Sequence, residues 1–141
     1  MQPTVISPPK YSYLPCVCFD AANNSLYFWG NLYETDEVYH NYFQTLYTWL
    51  ASEYPHILTP NVTPKFYIGL GHLNIEGFRL LPPLLEVLLQ LQFELNWVVY
   101  PNDLDMEETI AELPPSITPK LNMIKQPIHS FFAQIAISIL S

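Results

Sequence analysis

Asn96-Trp97-Val98-Val99-Tyr100 runs almost directly into Asp103-Leu104-Asp105-Met106-Glu107-Glu108. That junction reads as a buried strand ending in an acidic turn that opens a helix. A strand without polar–apolar alternation must be covered on both faces, which demands a sheet with helices packed against it. In such open α/β sheets the edge beyond the carboxyl ends of the strands is where function sits. The densest charge of the chain falls at that edge, so the first functional expectation is a surface there rather than a reaction.

The rest of the composition narrows the choice. The 141 residues suit one domain with a real core, and a 50% hydrophobic, 15% aromatic chain is not a disordered one. Thirteen acids against five Lys and Arg give a formal charge of -8, which repels phosphate backbones and makes nucleic acid a poor partner. A basic protein surface fits better. Cys16 and Cys18 stand two apart on a strand-like run, facing the same side, so they read as two buried thiols rather than a bridge. Met1-Gln2-Pro3-Thr4 has no basic or apolar leader pattern. The longest apolar run, Phe131 to Leu140, is too short to span a bilayer. The expectation is a soluble cytoplasmic protein, in which the sequon-like Asn23-Asn24-Ser25 and Asn61-Val62-Thr63 carry no meaning.

Along the chain, residues 1–14 are proline-rich and read as an extended arm, residues 15–125 as the domain, and residues 126–141 as a C-terminal helical extension. Two β-prone runs, Cys16–Phe19 and Leu26–Trp29, are joined by turn-formers as a hairpin that Gly30 closes. Thr35-Asp36-Glu37 suits a helix cap. Behind it Tyr39, Tyr42, Phe43, Leu46, Trp49 and Leu50 repeat at helical spacing, predicting a helix over 36–53. Tyr54 to Thr63 reads as a loop. A strand over 65–73 puts Phe66, Ile68 and Leu70 on one face and Tyr67, Gly69 and Gly71 on the other. A helix within 75–92, a strand over 94–100, a helix over 103–113 and a last strand over 120–124 follow. Ile128, Phe131, Phe132, Ile135 and Ile139 share one helical face. The fold class is therefore α/β: a single mixed sheet, an N-terminal β-hairpin plus βαβα units, with helices packed on it.

These residues resemble the SiaC family of regulatory proteins, small bacterial domains of anti-sigma-antagonist (STAS-like) fold. The resemblance rests on Phe19-Asp20, Gly30 with Tyr33, Trp49-Leu50, Asn74, Leu84-Leu85-Glu86, Asn96-Trp97, and Asp103, Asp105, Met106 and Glu108 in order. It implies a non-enzymatic partner-switch protein without a cofactor. It also implies partners: a diguanylate cyclase that the protein binds and activates in cyclic-di-GMP signalling, a kinase, and a PP2C-type phosphatase. In the family the phosphoacceptor lies just after the third strand, at a helix N-terminus, where free N–H groups favour phosphate.

The chain departs from the family at that point. An ungapped match through Leu84-Leu85-Glu86 puts Asn74 on the family Asn and Ile75 on the acceptor. Between Leu73 and Leu81 no hydroxyl side chain remains, so phosphorylation at the family position is chemically impossible. Glu76 carries one charge where a phosphoryl group carries nearly two, which favours a surface fixed in one state over mimicry. Pro82-Pro83 is a second departure. Prolines are tolerated in a first helical turn and break an interior, so the main helix should start at Pro82 and 74–81 should be a loop or a separate short turn.

The partner-binding surface expected from this reading comprises His72, Asn74, Ile75, Glu76, Phe78, Arg79, Asp103 and Asp105, with no metal and no catalytic group. The rival is a small-ligand or nucleotide-binding domain using Asp103, Asp105, Glu107 and Glu108 with Mg²⁺. The plainer reading of those acids is a helix start whose carboxylates favour the N-terminal dipole. Gly69-x-Gly71 lacks the Lys and hydroxyl of a phosphate loop and reads as close strand packing. None of the four histidines stands in a nucleophile motif. The C-terminal helix is expected on the sheet or in a homodimer seam.

Overall fold

The order of strands in the sheet is the order of strands in the chain, and this decides where every helix lies. The computed structural model describes residues 4–7, 15–32 and 37–140. Its strands are β1 (Thr4–Ser7), β2 (Cys16–Asp20), β3 (Ser25–Leu32), β4 (Lys65–Leu73), β5 (Glu94–Val99) and β6 (Leu121–Lys125). They form one six-stranded sheet, β1-β2-β3-β4-β5-β6. The first three pair antiparallel and the last four parallel. Parallel neighbours need a crossover, and crossovers are right-handed. Three successive steps in one direction therefore put all their helices on the same face.

That face is the main core. The helices are α1 (Glu37–Ser52), α2 (Tyr54–Ile57), α3 (Ile75–Phe78), α4 (Leu81–Gln90) and α5 (Leu104–Ala111). Phe19, Phe28, Ile68 and Trp97 from the sheet meet Tyr39, Leu46 and Leu50 of α1 and Ile110 of α5. From α4 come Leu81, Leu84, Leu85 and Leu88, all fully buried. Each such leucine contributes roughly 2 kcal/mol of burial. Tyr42 of α1 donates its hydroxyl to the carbonyl of Pro15, tying the entry of β2 to the helix layer.

Among the described residues the helix on the opposite face is α6 (Ile128–Leu140). Its Ile128 and Phe132 are buried with Val98, ringed by Tyr27, Trp29, Tyr67 and Ile124. Phe132 stacks on Trp29 with ring centroids 5.2 Å apart. Gly69 makes this possible: a Cβ there would lie 2.4 Å from the Phe132 ring. The close packing expected at Gly69 is a helix seated on bare backbone.

Several details differ from the sequence reading. Thr4–Ser7 forms an edge strand that the reading lacks, while residues 1–3 and 8–14 of the arm lie outside the described residues. So do Thr35 and Asp36 of the expected cap, and Tyr33. Gly30 does not close β3. With φ 143° it forms an irregularity in the pairing with β4, and the strand continues to Leu32. The stretch from Tyr54 is not all loop, because Tyr54–Ile57 forms the short helix α2 with Pro55 in its first turn. The proline argument at 82–83 holds. The prolines sit in the first turn of α4, and α3 is a separate turn before it. Among the described residues no helix is long and apolar enough to cross a membrane.

Candidate functional site

The end of β4 is shaped by two residues that leave their neighbours no freedom. Asn74 caps α3, its Oδ1 accepting from the Gly77 backbone N–H at 2.8 Å. The Asn74 N–H itself donates to the Leu32 carbonyl at 3.3 Å. Gly77 is buried so tightly against β3 that a Cβ would stand 2.1 Å from the Leu32 carbonyl oxygen. With the turn clamped from inside, its first two residues face water. Ile75 is 67% exposed, Glu76 and Arg79 are exposed, and Phe78 is half-buried against the core.

The second wall comes from α5. Its cap is Asp103, whose carboxylate accepts from the Met106 N–H at 3.1 Å. Met106, Ile110 and Leu113 turn inward to the core. Asp105, Thr109 and Glu112, spaced four and three apart, therefore share an outer stripe. Thr109 and Glu112 meet Leu73, Asn74, Ile75, Glu76 and Phe78 around an open depression of about 340 Å³. The Thr109 hydroxyl donates to the Asp105 carbonyl at 2.9 Å, within the helix.

Of the eight expected residues, Asn74, Ile75, Glu76 and Phe78 line this depression. His72 is exposed at the end of β4, in register with Asn31. Arg79 is exposed beyond α3. Asp105 lies on the stripe that leads to Thr109, and Asp103 is occupied in capping. Thr109 and Glu112 were missed, although helical spacing counted forward from Asp105 finds both. Apolar side chains with Glu76 and Glu112 among them suit an apolar group flanked by a cation.

The acids at 103–108 do not converge. Asp103 caps, Asp105 faces water, and Glu107 pairs with Lys125 at 3.4 Å. Among the described residues no three His, Cys, Asp or Glu side chains are grouped to hold a metal ion. The thiols of Cys16 and Cys18 are free. Burial pushes them up to about 11 and about 12, so both stay protonated and poorly nucleophilic near neutrality. Asp103→Ala is expected to cost about 1 kcal/mol by removing the cap. Urea unfolding should show that loss, with faster amide exchange confined to the first turn of α5.

Fold and site together define a small α/β domain with its crossover helices on one face and an open, acid-lined depression at the strand ends. The chain belongs to the SiaC family: the profile described as SiaC family regulatory phosphoprotein matches residues 9–126. Two solved structures share the fold. The crystal structure of apo-SiaC from Pseudomonas aeruginosa matches with a TM-score of 0.54 at 14% identity, covering 88% of this chain and 99% of that one. A second structure, SiaC of Pseudomonas aeruginosa, gives 0.53 at 14% identity, covering 89% and 98%. No curated protein matches the sequence. Membership makes this a regulatory protein by family, yet the depression offers no hydroxyl from 74–80, and among the described residues Thr109 supplies the one hydroxyl in its lining.

Proposed function

We propose that this chain is a non-enzymatic, cytoplasmic signalling adaptor. It binds a protein partner, a diguanylate cyclase, through the surface formed by residues 72–79 with Asp103 and Asp105. Its binding state is not switched by phosphate at the family position. The observation that carries the reading is Ile75. A capped and clamped turn holds an aliphatic side chain, 67% exposed, at the position where the family resemblance leads one to expect the acceptor hydroxyl. An exposed isoleucine contributes nothing to the core and is suited to filling an apolar recess on another protein.

Titration calorimetry of the purified chain against a diguanylate cyclase from the same cell tests this. Ile75→Asp should weaken binding by about tenfold or more, with an unchanged melting temperature because the side chain is not packed. Glu76→Gln should leave affinity within about twofold, since Glu76 is one exposed carboxylate among several. A large loss at Glu76→Gln would mean that it stands in for phosphate. Intact mass from native cells should show no phosphate, and a stoichiometric one on Thr109 would overturn the fixed-state reading.

A further inference from the structure

Ile75 has a counterpart that the site as described does not use. Leu104 is also 67% exposed, and the two are the most exposed large apolar side chains among the described residues. Both stand beyond the carboxyl ends of neighbouring parallel strands, Ile75 after β4 and Leu104 after β5. Tyr100, 37% exposed, lies on the same edge with its hydroxyl 3.2 Å from His129 Nδ1. A leucine at the first position of α5 adds nothing to the helix start, which Asp103 already caps. Its neighbours Asp105 and Glu108 are exposed carboxylates, as are Glu76 and Glu112 at the depression. Against them stands Arg79, because Lys125 is held by Glu107.

We infer that one continuous docking surface runs from the depression at Ile75 along α5 to Leu104, and that its occupant is a basic amphipathic helix of the partner protein. The inference rests on the adaptor reading and adds the chemistry of what docks. Thr109 and Glu112 touch the depression at one end of α5 and Leu104 opens the other, about 10 Å away at 1.5 Å per residue. Two apolar side chains two turns apart on the visiting helix span that length. Lys and Arg between them meet the row of carboxylates, in keeping with a chain whose net charge is -8. An anionic membrane surface is disfavoured by the same row.

The test uses the ¹⁵N-labelled chain and a synthetic Leu/Lys amphipathic peptide, with a Leu/Glu peptide as control. Amide shifts are expected at Ile75, Glu76, Leu104, Asp105 and Glu112. Affinity should fall about tenfold between about 50 and about 300 mM salt. Leu104→Asp, whose fold is checked by its own amide dispersion, should bind the Leu/Lys peptide at least about fivefold more weakly. Shifts elsewhere, equal binding of the Leu/Glu peptide, no binding of either, or wild-type titration by Leu104→Asp would each overturn the inference. A cyclase that binds wild-type and Leu104→Asp chains equally would sink this surface and leave the adaptor standing. A cyclase that binds neither would sink the adaptor, and the peptide would still decide the surface.

Discussion

Gly77→Ala is expected to unseat α3, lower stability by about 3 kcal/mol and abolish partner binding. The added Cβ would meet the Leu32 carbonyl oxygen at 2.1 Å and its carbon at 2.7 Å. Those are backbone atoms of β3, and Leu32 is paired with Leu73 of β4, so the sheet cannot yield and the turn must. Overpacking typically costs 1–3 kcal/mol, and a collision with fixed backbone belongs at the upper end. The melting temperature should fall by roughly 10 °C. Binding falls further than stability accounts for, because moving α3 displaces Ile75 and Glu76 together. Gly71→Ala is the control: its Cβ would press on the Asn31 side-chain oxygen at 3.0 Å, which can turn away, and would meet the Gly30 carbonyl oxygen only at an ordinary 3.9 Å. A wild-type melting curve for Gly77→Ala would show that the turn is not clamped against β3.

Phe132→Ala should detach α6 from the sheet. Phe132 is 2% exposed, stacks on Trp29 and meets the Tyr27 ring edge-on with centroids 6.4 Å apart. Truncating a buried Phe costs about 3–5 kcal/mol, and among the described residues the other anchors of α6 are Ile128, Phe131 against Tyr67, and His129 at the Tyr100 hydroxyl. The loss is local, because the helices of the main core lie on the other side of the sheet. Amide exchange should therefore collapse in α6 while α1 and α4 keep their protection. Tryptophan fluorescence should shift to the red as Trp29 gains water. Sedimentation of the same variant shows whether the bared aromatic face draws two copies together. Uniform loss of protection across both faces would mean that α6 belongs to the main cooperative unit.

The local reading of the chain went furthest where one residue type forces one geometry. Strand β4 was legible because Phe66, Ile68 and Leu70 alternate with Tyr67, Gly69 and Gly71. The division between α3 and α4 was legible because Pro82 and Pro83 can stand only near a helix start. The short edge strand at Thr4–Ser7 was not, since four residues of mixed polarity among prolines carry no period. Nor was the passage of β3 through Gly30, where a glycine that looks like a terminator supplies the positive φ of an irregularity inside the strand.

What the sequence by itself determined is the order of the main α/β elements from β2 to α6, the split of α3 from α4, and the lack of any hydroxyl between Leu73 and Leu81. These follow from side-chain periodicity and covalent chemistry, which need no partner element. Only the tertiary structure decided that Thr109 and Glu112 face Asn74–Phe78, that Asp103 spends its carboxylate on its own helix, and that the C-terminal helix seats Ile128 and Phe132 on the sheet face opposite the other helices. Periodicity says which residues share a stripe. What the stripe meets depends on the order of strands and the hand of their crossovers.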